Sequence, residues 1–217
     1  MNSNPPSPSP LTLTSLPLFP LSSVLFPQGT LDLRVFEVRY LDMVRKCQLA
    51  GAPFGVVALA QGSEVRRAGA GDEQLHDIGT LAAIEQLHAP QPGLVLLRCS
   101  GSQRFRITQR QRLPHGLWVA DVQLLPADAA VAVPQDLRRT VAALQRLLAS
   151  LQARGQAPAA LSAASTAQLD DCAWVANRWC ELLPLPLELR QRLMALDNPL
   201  VRLELVGDIL ERTGILD

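Results

Sequence analysis

The sequence predicts an α+β fold in which a β-rich module precedes an all-helical module. Between Leu16 and Leu125 apolar residues alternate or form short runs, whereas after Pro126 they recur at helical spacing. Gly and Pro interrupt the first part often, which is typical of short strands joined by turns. The 217 residues are 48% hydrophobic, with 20 basic and 20 acidic side chains. A chain of this size and composition can bury a substantial core, and its zero net charge disfavours a protein built to neutralise phosphates.

The β-rich module is predicted to span residues 16–126. One helix interrupts it from Glu37 to Leu49, because apolar residues recur there at helical spacing and Gly51 and Pro53 follow. The predicted strands are Leu31 to Phe36, Phe54 to Leu59, Ile78 to Leu87, Leu94 to Cys99, Phe105 to Ile107 and Leu117 to Leu124. Several short strands with turns throughout indicate a small, strongly bent sheet or barrel.

The helical module is predicted to span residues 134–217. Ser165 and Gln168 form a capping-box pair that marks one helix start, and Asn198-Pro199 marks another. The four predicted helices run from Pro134 to about Leu151, Ser165 to about Leu182, Leu187 to Leu196, and Asn198 to near Gly214.

The first 15 residues are rich in Pro and Ser and predict a disordered tail. They lack the charged and apolar regions of a signal peptide, and no apolar run reaches the roughly 18 residues of a membrane span. We therefore expect a cytoplasmic protein that does not contact the membrane. The four cysteines form no C-x-x-C pair, so we expect reduced, mostly buried thiols: Cys47, Cys99, Cys172 and Cys180.

Motifs for covalent chemistry are missing from the sequence. It contains no P-loop, no G-x-G-x-x-G and no G-x-S-x-G, and its one lysine among 20 basic residues is Lys46. The one polar cluster, Asp72 to Asp77, could supply metal ligands from Asp72, His76 and Asp77. We interpret it as a solvated hairpin loop, and a hydrolase built on it is the least favoured hypothesis. We predict a protein without enzymatic activity, cofactor or metal.

A row of arginines in the β-rich module allows two interpretations. On one continuous strand the four would share a face, with Phe105 and Ile107 turned inward. That face is either a strip that binds anionic RNA or peptide, or simply the wet face of an amphipathic strand, and the scarcity of aromatic residues favours the second. The row consists of Arg104, Arg106, Arg110 and Arg112.

Several stretches resemble one known family. The chain reads LPLFPLSSVLFPQG from Leu16 and LDLRVFEVRYLDM from Leu31, and later GSQRFRI from Gly101 and WVADV from Trp118. The helical part reads LPLELRQRLMALD from Leu185. These motifs closely resemble the N-terminal domain of the Lon protease family, in its stand-alone version. The motifs cover most of the chain after the tail. Full-length Lon proteases also have an AAA+ motor and a Ser-Lys peptidase domain, and this sequence shows the motifs of neither.

The resemblance implies a PUA-like β pseudo-barrel followed by a helical bundle, acting in substrate or partner recognition. Expected partners are unfolded or extended protein segments and other components of proteolysis, with PUA-like RNA binding as the less favoured alternative. We expect five apolar motif residues to fill the barrel core: Phe19, Phe26, Leu31, Leu33 and Phe36. Arg34 is a further candidate contact, while Arg39 and Tyr40 are either contacts or a local polar lock.

Overall fold

The computed structural model describes residues 11–62, 73–156 and 164–216. Six strands lie between Thr12 and Leu124, and six α-helices are described in all. The strands are β1 (Thr12–Leu21), β2 (Thr30–Val35), β3 (Phe54–Gln61), β4 (Gln74–Gln91), β5 (Leu94–Arg112) and β6 (Trp118–Leu124). The helices are α1 (Val38–Ala50), α2 (Arg138–Ala153), α3 (Thr166–Leu169), α4 (Cys172–Leu182), α5 (Leu187–Ala195) and α6 (Pro199–Arg212), with a 3-10 turn at Gln135–Leu137.

The strands close into a barrel. Their order is β2-β5-β4-β3-β1-β6, and β6 pairs back onto β5, so five strands form a ring and β2 lies outside it. Among the described strands, only β1 and β3 pair in parallel; the other five pairings are antiparallel. The structure therefore has the mixed α+β, PUA-like architecture that the sequence predicts.

The barrel interior is packed tightly around Phe105. This side chain is fully buried in a cluster with Leu18 and Val57. Gly79 lies against it: a Cβ at Gly79 would be 2.6 Å from the Phe105 ring and 2.5 Å from the Val56 carbonyl oxygen. A side chain does not fit there, so glycine lets two strands and a ring approach one another.

Helix α1 covers an outer face of the barrel, as its apolar spacing predicts. Its buried residues include Tyr40 and Val44, which pack with Phe19 and Phe54 of the strands. The helix ends at Gly51, whose φ of 59° is the left-handed conformation favoured at a helix C-terminus. The predicted span of Glu37 to Leu49 is confirmed to within one residue.

The helices share a hydrophobic core with the barrel. Trp179 of α4 is fully buried among helical residues and donates from Nε1 to the Thr140 carbonyl oxygen at 3.1 Å. Phe26, from the segment between β1 and β2, belongs to this cluster, as does Ala58 of β3. Phe26 is thus buried as predicted, but against the bundle. A boundary between residues 126 and 134 remains our proposal for the division into domains.

Two sequence predictions about helices and strands are wrong. The predicted helix from Ser165 to Leu182 is two helices, because Asp171 accepts hydrogen bonds from Ala173 and Trp174 and caps a new helix start. The two predicted strands from Leu94 to Ile107 are one strand, β5. β5 changes partners at Gly101, pairing with β2 before it and with β6 after it, so the chain continues without a break.

The first strand also begins earlier than expected. Thr12 pairs with Gln123 of β6, so the predicted disordered tail of 1–15 extends too far. Residues 1–10 lie outside the described ranges. All four cysteines are buried and form no disulfide. No helix in the described ranges is both long and apolar enough to span a membrane.

Candidate functional site

A groove runs between β2 and the end of β1. It encloses about 720 Å³ of empty space, part of it open to solvent. We call it the β2 groove and define it by its lining residues, which are Phe19, Leu21, Asp32, Leu33, Arg34, Val35, Phe36, Glu37 and Tyr40. The residues from Asp32 to Glu37 are consecutive, although side chains alternate between the two faces of a strand. The groove therefore follows the edge of β2.

The floor of the β2 groove is a pair of stacked rings. Phe19 and Tyr40 lie with ring centroids 4.2 Å apart and planes inclined by 11°. Helix α1 starts directly after β2, which brings Tyr40 of its first turn back under β1. Burial raises the pKa of Tyr40 above its usual value, so the phenol stays neutral. The floor is therefore neutral and aromatic.

The edge of β2 beside this floor has no strand partner in the described parts of the chain. β5 pairs with β2 along its other side, from Thr30 to Val35. An edge strand presents backbone N–H and C=O groups that can pair with an additional strand. The groove thus combines apolar surface with a template for backbone hydrogen bonds.

Two apolar side chains stand exposed at the end of the groove. Phe36 is 53% exposed and Val38 is 72% exposed. The prediction that Phe36 fills the barrel core is wrong, because the chain turns from β2 into α1 there and points this side chain outward. Leu31 and Leu33 are partly buried against the cluster under α1, and Phe19 is buried there. Phe36 and Val38 thus place exposed apolar surface next to the groove.

The three predicted contact residues of the family motif lie in different environments. Arg34 is exposed and lines the β2 groove. Arg39 and Tyr40 are buried, and Arg39 donates to the Gly116 carbonyl oxygen at 2.8 Å and pairs with Glu37 at 3.0 Å. Its guanidinium also lies 4.6 Å from the Tyr40 ring centroid. Of the two interpretations, these contacts support the polar lock.

The predicted arginine face does not exist. β5 has a bulge between Ile107 and Gln109 where it pairs with β6. The extra residue reverses the side-chain alternation, so Arg110 and Arg112 lie on the opposite face from Arg104 and Arg106. Arg106 and Arg110 are exposed, Arg112 is half-buried, and Arg104 is buried. The RNA-binding alternative loses the continuous strip on which it was based.

Arg104 instead belongs to a buried charge network between barrel and bundle. Its Nη2 donates to Asp128 Oδ1 at 2.9 Å, and its Nη1 donates to the carbonyl oxygens of Met194 and Leu196 at 3.0 Å each. Arg202 of α6 donates to the same carboxylate at 2.7 and 3.2 Å. Burial lowers the pKa of Arg104. The network fixes α6 and the end of α5 against β5, and so positions the bundle on the barrel.

The polar loop that suggested metal ligands is only partly described. His76 lies 3.3 Å from Glu188 of α5, and Asp77 lies 3.3 Å from Arg110, while Asp72 falls outside the described residues. Within the described ranges, no group of three His, Cys, Asp or Glu side chains could hold a metal ion. His76 and Asp77 belong to β4, so the predicted hairpin loop is wrong for these two residues, which lie beside side chains of neighbouring elements.

The fold defines a class: α+β proteins in which a small β-barrel is joined to a helical bundle. The chain belongs to the family described as the ATP-dependent protease La (LON) substrate-binding domain, whose family model matches residues 15–212. This confirms the resemblance that the motifs predict. A comparison with curated proteins gives no match.

Among the solved structures similar to this chain are two that cover about nine-tenths of it. One is a Lon N-terminal domain protein from Xanthomonas campestris, with 34% identity and a TM-score of 0.69, covering 90% of this chain and 98% of that one. The other is the N-terminal domain of a Lon protease from the Mycobacterium avium complex, with 17% identity and a TM-score of 0.57, covering 89% of this chain and 96% of that one. The second likeness supports the fold alone.

Proposed function

We propose that this chain is a non-catalytic recognition module that holds unfolded or extended protein segments in the β2 groove. The observation that carries the proposal is the unpaired edge of β2 beside an apolar floor. The family, named for substrate binding, supports it. We also propose that the protein is cytoplasmic and acts together with other components of proteolysis.

The geometry favours an extended segment over a folded surface. A segment laid along β2 gains backbone hydrogen bonds that do not depend on its sequence, as in other cases of strand addition. Alternate side chains of that segment would contact the floor of Phe19 and Tyr40, while Arg34 stays at the rim. Recognition would therefore be broad and would favour segments with an apolar residue at every second position.

The test is fluorescence anisotropy with a labelled peptide of alternating apolar and polar residues. We expect saturable binding that Phe36→Ser weakens by about fivefold or more, since an exposed aromatic anchor is lost. Leu49→Ser is the matched control: Leu49 is 89% exposed, lies at the far end of α1 and does not line the groove.

A second peptide separates strand addition from simple apolar contact. The same peptide with N-methyl groups on alternate backbone amides keeps its side chains but loses hydrogen-bond donors. We expect it to bind much more weakly. No binding of either peptide, or equal losses for Phe36→Ser and Leu49→Ser, would refute the proposal.

A further inference from the structure

A second pocket lies on the other side of the exposed Val38. It has about 700 Å³ of empty space, part of it open to solvent, between α1 and the turn that joins β5 to β6. We call it the Lys46 pocket; its lining residues are Val38, Arg39, Asp42, Met43, Lys46, His115 and Leu117. Three of these seven side chains are basic and three are apolar. Nothing in the function proposed above uses this pocket.

The basic residues of the pocket are available to a ligand. Lys46, the only lysine of the chain, and His115 are exposed and form no ion pair with any described residue. Asp42 lines the same pocket but forms no ion pair with Lys46 within the described ranges. An unpaired ammonium beside an imidazole can bind an anion with charge-assisted hydrogen bonds.

Arg39 holds the two sides of the pocket together. It belongs to α1, and its Nη1 donates a hydrogen bond of 2.8 Å to the carbonyl oxygen of Gly116, the residue after His115. Glu37 and Glu73 balance its charge at 3.0 and 3.9 Å. Its side chain is 6% exposed; its Nη2 is the atom nearest the two carboxylates, and its Nε is buried without a hydrogen-bond acceptor. Arg39 therefore ties the turn that carries His115 to the helix that carries Lys46.

We propose that the Lys46 pocket binds a carboxylate of the protein segment held in the β2 groove. This inference rests on the proposed function, since Glu37 of the groove and Val38 of the pocket are consecutive residues and the anions of an unmodified polypeptide are carboxylates. Lys46 and His115 contact the carboxylate, and the apolar side chains of Met43 and Leu117 line the pocket beside them. The carboxylate belongs either to a chain terminus or to an acidic side chain.

The first experiment tests the pocket without the groove. Reductive methylation with ¹³C-formaldehyde keeps the charge of a lysine and gives one lysine resonance, because the chain has one lysine. We expect that resonance to shift saturably with N-acetylleucine and to stay in place with the uncharged N-acetylleucine amide. His115→Gln should weaken the effect. Arg45→Gln, which removes an exposed charge next to Lys46 on α1, should leave it intact. Equal shifts with acid and amide, or none, would overturn the site.

The second experiment uses the peptide of the groove assay with a free or an amidated C-terminus. We expect the free carboxylate to bind about tenfold more tightly, and Lys46→Gln to remove that difference. An amidated peptide with one glutamate that regains the difference assigns the site to acidic side chains. Equal binding of all peptides refutes the carboxylate site and leaves the groove standing. A saturable lysine shift without any peptide binding supports the site and refutes the groove.

Discussion

The buried network around Asp128 makes the sharpest prediction about stability. The Asp128 side chain is 10% exposed, and those of Arg104 and Arg202 are 3% and 1% exposed. Asp128→Asn preserves the shape but leaves two buried guanidinium groups without their shared carboxylate. Breaking a buried pair costs about 3–5 kcal/mol. Both arginines keep backbone acceptors at Leu196, so we expect the lower end, about 3 kcal/mol.

Urea unfolding followed by circular dichroism measures this loss. With a slope of about 2–3 kcal/mol per molar, the midpoint should fall by about 1 M or more without a change of slope. Asp32→Asn is the matched control: Asp32 pairs with Arg98 at 2.7 Å, but the side chains are 68% and 37% exposed. Because both side chains are exposed, that pair should contribute little, and the midpoint of Asp32→Asn should stay close to that of the parent. A loss below 1 kcal/mol for Asp128→Asn would refute the assignment of the network as the link between barrel and bundle.

Two further predictions concern a glycine contact and a buried acid. Gly79→Ala should lower the free energy of unfolding by about 2 kcal/mol or more, because its Cβ would meet the Val56 carbonyl at 2.5 Å. Gly207→Ala in α6, whose nearest neighbours would be 3.6 Å away, should be neutral or raise it by up to about 1 kcal/mol; similar losses for both would contradict this account. Burial raises the pKa of Glu181 to about 7, so the folded state binds this proton more tightly than the unfolded state does. The protein therefore loses stability as the pH rises from the ordinary pKa of a glutamate to about 7. Glu181→Gln should therefore gain stability relative to the parent between pH 5 and pH 8, and a constant difference in urea titrations would refute this.

Local sequence patterns are sufficient to predict most of the helices and strands. The spacing in α1 and the glycine after it place that helix to within a residue, and the change of periodicity near Pro126 separates strands from helices. The capping box at Ser165 is present as predicted. The helix break at Asp171 was missed, although an Asp followed by an apolar helical pattern is itself a cap signal. Such features depend on residues close in sequence, which is why a sequence can reveal them.

The contacts between distant elements could not be predicted in the same way. Nothing in the sequence singles out Asp128, which stands in an Ala- and Pro-rich connection, as the partner of Arg202 seventy-four residues later. The bulge after Ile107 contains no Gly, so the sequence gives no signal for it. This bulge alone divides the arginine row between the two faces of the strand. The strand pattern predicts a buried Phe36, but it does not reveal where the chain turns away from the sheet, and Phe36 lies at that turn.

Residue-resolved amide hydrogen exchange, with and without the alternating peptide, tests the central claim most directly. Strand addition at β2 predicts that the amides of β2 on its unpaired side exchange more slowly when the peptide is bound. Amides around Leu49 and on α6 should exchange at unchanged rates. Binding that leaves β2 unprotected, or that protects α6 in its place, would contradict the assignment of the β2 groove as the recognition site.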